Sequence, residues 1–293
     1  VIYEIPKGKE RTTEKLRNEF IRICSEIRKK GGLPQVNHPF DVSFSTRYNS
    51  EFWDMIEIFE SMEIWNGATP FAAGTINAKA FKKWLSLLDE GKRLAATTGS
   101  DTHNIYGDDY FGMTEWLDWL MDIVMKHPEI YPVHMNENVA YLTWLYNKVW
   151  PRLLSWVEQS NTPSTIHNYV YTNGKNQPQE ILQAIREGHS FISNGPLVTA
   201  EVNGVSYGEK AVLKDRTGTL SVHVFSKKPI NHLWMYTGAD KKVELCAKAD
   251  AAEGGFMYDI AADELDFGDA AWVLFVADGG ENNLAISNPI LFA

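Results

Sequence analysis

The apolar pattern of the chain changes at Gly195-Pro196, and this change constrains the fold more than any other feature. Before it, short apolar runs alternate with stretches of helical period. After it, apolar runs such as 220–225 and 271–276 are separated by Gly, Asp and Asn. This texture predicts about six to eight short strands of a β-sandwich. We therefore expect two domains, residues 1–195 and residues 196–293.

The first domain shows strands and helices in alternation. Strands are predicted at 33–38, 62–67 and 94–98, and helices at 12–30 and 77–90, with a later helix at 178–188. This order predicts an α/β fold with a parallel sheet, either a barrel or a doubly wound sheet. In such folds the chemistry collects at the carboxyl ends of the strands.

An insertion at about 104–172 interrupts this alternation. It is rich in tryptophan and predicts two helices, at about 114–126 and 137–158. One interpretation is that the tryptophans pack between these helices. The other is that the insertion forms a lid or an apolar pocket wall, because long insertions after strand ends are often functional.

Charge and hydropathy exclude two classes of partner. The net charge is −10 and no basic run is present, which argues against a nucleic-acid-binding surface. No segment approaches the roughly 20 apolar residues of a membrane span, and no signal peptide is recognisable. Cys24 and Cys246 have no metal-type spacing and are interpreted as buried free thiols. Abundant Trp, Tyr and Asn favour an extracytoplasmic location.

Three residues at predicted strand ends form the candidate metal site. His38 ends the first strand, and Asp101 and His103 follow the third. Because Asp101 and His103 are separated by one residue, a carboxylate and an imidazole there can share one cation. A lone histidine at a strand end is more often structural, so the combination of the three carries the hypothesis.

Three further residues are candidates for orienting a ligand or contacting substrate. Glu63 is interpreted either as a carboxylate that orients a metal ligand or as a structural strand-end residue. Asn66, before Gly67, is either part of the site or simple turn chemistry. His189 follows a helix end and is either a site residue or structural. No nucleophile motif occurs, so no catalytic residue is assigned, and His223 and His232 are expected to be structural.

Four segments together resemble the second half of a polymerase and histidinol phosphatase (PHP) metal-dependent hydrolase. They are residues 36–40, 62–67, 98–103 and 180–196, and the last is similar to the CehA/McbA branch, which includes carbamate-ester hydrolases. The resemblance implies a distorted (β/α)7 barrel that holds two or three divalent ions such as Zn²⁺, Mn²⁺ or Fe. It also implies that His38 matches the family's third metal motif, and Asp101 and His103 the fourth.

The activity implied by the resemblance is hydrolysis of a small-molecule phosphoester, carboxyl ester or carbamate ester by metal-activated water. The family's first motif, His-x-His, is absent, because no two histidines here are separated by one residue. Either the front half of the site lies elsewhere, which the start at Val1 favours, or catalysis has been lost. In the second case the protein is a non-catalytic binding or scaffolding protein on a degenerate barrel. The oligomeric state is not predicted.

Overall fold

The computed structural model divides the chain into two compact units, Val1–Gly99 with Ile166–Ala293, and Ser100–Thr165. Every helix and strand described below belongs to the first unit. The residues that the structure describes are 13–40, 50–67, 71–101, 166–174, 176–245, 249–280 and 283–293. The predicted tryptophan-rich helices at 114–126 and 137–158 lie outside these ranges.

The amino-terminal part of the unit alternates helices with short strands. The elements are α1 (Thr13–Lys29), β1 (Gln35–Val36), a 3₁₀ segment (Ser50–Ile58), β2 (Ser61–Asn66), α2 (Ile76–Asp89) and β3 (Ala95–Gly99). The two predicted helices and three predicted strands in this region are confirmed. None of the helices among the described residues is long and apolar enough to cross a membrane.

The carboxyl-terminal part is built mostly of strands. Its elements are β4 (His167–Val170), α3 (Pro178–Glu187), β5 (Ser190–Ser193), β6 (Leu197–Val202), β7 (Lys210–Ala211), β8 (Thr217–Ser226), β9 (His232–Gly238), β10 (Lys241–Glu244), β11 (Ala249–Ala252), β12 (Gly255–Asp266), β13 (Trp272–Asp278), β14 (Leu284–Ser287) and β15 (Ile290–Phe292). Helix α3 confirms the helix that the sequence predicts at 178–188. It starts with a capping box between Gln177 and Glu180, and Gly188, with a φ of 78°, caps its carboxyl end.

The strands form three hydrogen-bonded groups. Strands β1, β2 and β3 make a parallel sheet in that order. A second sheet runs β10-β9-β13-β14-β5-β4 with antiparallel pairing, and β15 joins it by pairing with both β13 and β7. The third sheet is antiparallel, in the order β11-β12-β8-β6.

Strand β13 lies between two hydrophobic cores. Leu274 and Val276 pack into the core that contains Trp84 of α2, whereas Phe275 packs into the core that contains Val222 of β8. Because both faces of β13 are buried, the segment is apolar at nearly every position instead of alternating. The second sheet is therefore a middle layer, covered on one face by the parallel sheet with α2 and on the other by the third sheet.

The predicted (β/α)7 barrel is wrong, and so is the α/β class that was predicted with it. The described residues are mostly β, in several sheets, and they form no closed barrel. After β3 the described chain adds no further strand to the parallel sheet; β4 instead pairs antiparallel with β5, and β5 pairs antiparallel with β14. Three strand–helix steps suit an open parallel sheet as well as a barrel, so the pattern could not separate the two.

The outer edge of β3 is completed by side chains. The Asn288 carboxamide accepts from the Ala96 N–H at 2.7 Å and donates to the Ala96 carbonyl at 3.2 Å. The Asn168 carboxamide does the same at Thr98, at 3.0 and 2.8 Å. Each carboxamide takes the place of a peptide group from a neighbouring strand, so buried backbone groups of β3 are satisfied without another parallel strand.

The predicted domain boundary near residue 195 falls between β5 and β6. Strand β5 pairs with β14, with Ser193 opposite Ala285, so the middle sheet takes strands from both sides of this position. Strand β4 likewise belongs to this sheet, although the sequence places it inside the insertion at 104–172.

Candidate metal site at the ends of the parallel strands

One face of the parallel sheet is polar although it is buried. The hydroxyls of Ser61 on β2 and Thr97 on β3 both donate to Gln35 Oε1 on β1, at 3.0 and 2.9 Å. Ser61 and Thr97 are buried, and Glu63 lies on the same face two residues further along β2. Burying polar groups is unfavourable unless they are hydrogen-bonded, and here Gln35 accepts from both hydroxyls.

The carboxylate of Glu63 joins the ends of two strands. Its side chain is only 5% exposed, and its Oε2 accepts a hydrogen bond from the His38 backbone N–H at 2.6 Å. Its Oε1 lies 2.9 Å from the point that a Cβ on Gly99 would occupy, so a side chain at this position would displace the carboxylate from β3. This short hydrogen bond holds the His38 backbone against the Glu63 carboxyl group.

Two of the predicted ligands have left-handed backbone conformations. The φ angle of His38 is 27° and that of Asp101, in the second unit, is 57°. Such angles are uncommon outside glycine, although histidine and aspartate adopt them more readily than most residues. Strained conformations of this kind concentrate at functional sites and persist where their surroundings hold them. For His38 the bond to Glu63 is part of that support.

Asn66 is held in place by its backbone. Its N–H donates to Asn77 Oδ1 at 2.9 Å, and its carbonyl accepts from Asn77 Nδ2 at 3.0 Å. The pairing of β2 with β3 also shifts register between Glu63 and Trp65, and such irregularities are frequent beside active sites. Asn77 and Gln35 were not singled out in the sequence. The feature that could have identified them is a polar residue in an otherwise apolar strand, for Gln35, or on the buried face of a helix, for Asn77.

His189 lies at the other end of β3. It lines a pocket of about 320 Å³ together with Leu94 and Ala95, at the amino end of the strand. Its Nδ1 is 3.6 Å from Glu187 Oε2. The structure therefore does not bring His189 together with His38 and Glu63, which lie at the carboxyl ends of the strands.

The complete predicted ligand set extends beyond the described residues, because His103 lies outside them. Within the described ranges, no group of three or more His, Cys, Asp and Glu side chains is arranged to hold a metal ion. The chemistry of the donor set nevertheless fits a divalent transition ion, since imidazole and carboxylate ligands suit Zn²⁺, Mn²⁺ and Fe²⁺. Glu63, which the sequence suggested as a residue that orients a ligand, accepts a hydrogen bond from the backbone N–H of His38.

Cys24 is a buried free thiol, whereas Cys246 lies outside the described residues. Burial raises the pKa of the Cys24 thiol to about 11, although the charge of Arg28 acts in the opposite direction. The thiolate is the reactive form, so Cys24 is not a nucleophile near neutral pH.

No family model matches the chain, and no curated protein or solved structure matches it either. The resemblance to the PHP hydrolases therefore still depends on the motif residues alone.

Proposed function

We propose that this protein is a metal-dependent hydrolase of a small-molecule phosphoester, carboxyl ester or carbamate ester. The observation that supports this function is the buried Glu63 carboxylate, which fixes the backbone of His38 at the carboxyl ends of the parallel strands. Burying a carboxyl group is costly unless it is hydrogen-bonded, and the bond from the His38 N–H supplies one partner at the strand end.

On the basis of the resemblance to the PHP motifs, we propose His38, Asp101 and His103 as metal ligands of the protein. A divalent metal held by them would lower the pKa of a bound water and supply hydroxide for attack on the phosphorus or carbonyl centre. The protein's own residues prepare this chemistry. Glu63 fixes the left-handed backbone at His38, and Gly99 leaves the space that the carboxylate needs. On the same sheet face, the hydroxyls of Ser61 and Thr97 both donate to Gln35 Oε1.

Metal content measured by mass spectrometry on the purified, metal-loaded chain tests this proposal. The wild type is expected to retain near-stoichiometric Zn²⁺ or Mn²⁺ after dialysis. A variant with His38→Ala, Asp101→Ala and His103→Ala is expected to retain almost none. His232→Ala is the matched control, because this exposed histidine lies in β9, far along the chain from the three ligands, and its loss should leave the metal content unchanged.

Equal metal content in the wild type and the triple variant would contradict the ligand assignment. If neither protein retains metal, the alternative gains support, namely a non-catalytic binding protein. That alternative is favoured by the absence of a three-residue metal group among the described residues.

A further inference from the structure

Three side chains on the exposed face of the third sheet form a hydrogen-bonded relay. Ser221 and His223 are two residues apart on β8, so they share a face, and Asp259 on β12 stands directly opposite His223. Ser221 Oγ lies 2.9 Å from His223 Nε2, and His223 Nδ1 lies 2.5 Å from Asp259 Oδ1. His223 was expected to be merely structural.

The direction of the relay follows from the donor and acceptor properties of its ends. A carboxylate accepts hydrogen bonds, so we assign the His223 Nδ1–H as the donor to Asp259. Nε2 is then left as the acceptor for the Ser221 hydroxyl. This is the order in which a serine nucleophile, a histidine base and an orienting carboxylate are connected in acyl-transfer enzymes on unrelated folds.

From this geometry we infer that Ser221 is an activated nucleophile that accepts acyl groups from small esters. The Ser221 Oγ forms a bond to the ester carbonyl carbon while its proton passes to His223 Nε2. The imidazolium returns the proton to the departing alcohol, and the carbon–oxygen bond to that alcohol breaks. Water then attacks the acyl-serine through the same histidine, releasing the carboxylic acid and restoring the hydroxyl.

A pocket beside the relay sets the class of ester. Ser221 and His223 line a cavity of about 390 Å³ along the edge of β6. The carboxylates of Glu201 and Glu209 also line this cavity, and Glu201 is directly opposite Ser221 in the β6–β8 register. Two carboxylates next to the nucleophile repel anionic substrates, so the site selects neutral or cationic esters.

The molecule contains a matched pair without a serine. His232 Nδ1 lies 2.7 Å from Glu244 Oε1 across the β9–β10 pair, and both side chains are about half exposed. Its ring stacks on Trp234, at a centroid distance of 5.2 Å. The two exposed histidine–carboxylate pairs therefore differ in one respect. The second ring nitrogen of His223 is hydrogen-bonded to the Ser221 hydroxyl, whereas the ring of His232 stacks on the Trp234 indole.

Labelling with a neutral alkyl fluorophosphonate tests the inference on the full chain, with the modified residue identified by peptide mass spectrometry. The reagent forms a bond between Ser Oγ and phosphorus and releases fluoride. The wild type is expected to be labelled at Ser221. His223→Ala should slow this labelling by about 100-fold and Asp259→Asn by about tenfold. His232→Ala should label at the wild-type rate, and Ser221→Ala should show no label at this peptide.

The inference is overturned if Ser221 of the folded wild type stays unlabelled, or if His223→Ala labels at an unchanged rate. Because His223 and Asp259 are exposed and Ser221 is only partly buried, circular dichroism should show all variants folded. Labelling repeated after chelation separates this site from the metal site, since the relay contains no metal ligand and its rate should not change. A neutral 4-nitrophenyl ester should also acylate Ser221 at least about tenfold faster than an ester with a carboxylate on its acyl chain; equal rates would overturn the charge selection.

Discussion

The parallel sheet and the exposed face of the third sheet hold their polar side chains in different surroundings. On the parallel sheet Glu63 is 5% exposed and is held where strands end. On the third sheet His223 and Asp259 are 57% and 55% exposed and stand in the middle of their strands. Glu63 is therefore protected from water by the surrounding fold. His223 and Asp259 are in contact with water, and the pairing of β8 with β12 brings them together.

This difference predicts how stability and function are connected in each region. A buried polar group that loses its partner destabilises the fold by roughly 1–3 kcal/mol, because the remaining group is desolvated without a bond. An exposed ion pair contributes roughly 0–1 kcal/mol, because water replaces the lost partner. Variants of the parallel sheet should therefore change stability and function together, whereas variants of the relay should change reactivity alone.

The largest effect is expected for Asn288→Ala. The variant removes bonds to both backbone groups of Ala96 and to the carbonyl and hydroxyl of Ser190, all of them buried. We expect the free energy of unfolding, measured by urea denaturation, to fall by about 3–5 kcal/mol. Asn168→Ala removes a carboxamide whose two bonds to Thr98 are only part-buried, and it should lower the free energy of unfolding by less, about 1 kcal/mol. Equal losses would show that burial does not control these energies.

The next effect is expected at Glu63. Glu63→Ala leaves the His38 N–H without this acceptor and opens a cavity, so the free energy of unfolding should fall by about 2–3 kcal/mol. Glu63→Gln retains an oxygen that can accept the same bond, and should cost less than about 1 kcal/mol. Metal titration should nevertheless show the Gln variant binding Zn²⁺ about tenfold more weakly. An unchanged affinity in both variants would restrict Glu63 to a structural role.

A smaller, pH-dependent effect is expected at Glu60, which precedes β2. Burial alone would raise its pKa, but hydrogen bonds from Arg186 at 2.7 Å and Arg28 at 2.6 Å outweigh burial and hold the pKa below its ordinary value of 4.5. A carboxyl with a lowered folded-state pKa stabilises the fold above its unfolded pKa, and that stabilisation is lost as the pH falls through the folded pKa.

Urea denaturation of the wild type and Glu60→Gln at several pH values checks this effect. The difference in free energy of unfolding should be about 1–2 kcal/mol at pH 7 and should shrink as the pH falls below 4.5. A difference that stays constant down to pH 3 would contradict the lowered pKa.

The smallest change in stability is expected for the relay. Asp259→Asn and His223→Ala should each change the free energy of unfolding by less than about 1 kcal/mol, because both side chains are more than half exposed. The same variants should strongly slow fluorophosphonate labelling of Ser221. Loss of labelling together with a loss of several kcal/mol would remove the distinction between the two regions.

Local features of the fold were predictable because their signals are local. Phe81, Trp84 and Leu88 mark α2 by their spacing, and the polar residues after β1 and β3 mark the strand ends. What the sequence could not show is which distant residues meet. Asn288 satisfies Ala96 from 192 positions away, and this carboxamide, not another parallel strand, borders β3. The predicted barrel was wrong because the sequence does not show that side chains, and not a fourth parallel strand, lie beside β3.

The relay was missed for a related reason. Ser221 and His223 are two residues apart on one strand, so the sequence alone predicts that they share a face of the sheet. Pairs of this kind are common on exposed sheets. Asp259 becomes significant only through the β8–β12 register, and a shift of one residue would turn it to the other face. Register depends on the complete packing of the sheet, so a candidate nucleophile of this kind appears only once the strands are paired.

The Asn288 and Asn168 carboxamides that border β3 also affect whether copies of the molecule can associate through this strand. A strand at the border of a sheet presents free N–H and carbonyl groups, and these are a template on which another chain can add a strand and begin to aggregate. At Ala96 and Thr98 those groups are already occupied by Asn288 and Asn168. Side chains from the same molecule thus act as a permanent cap against self-association along this border.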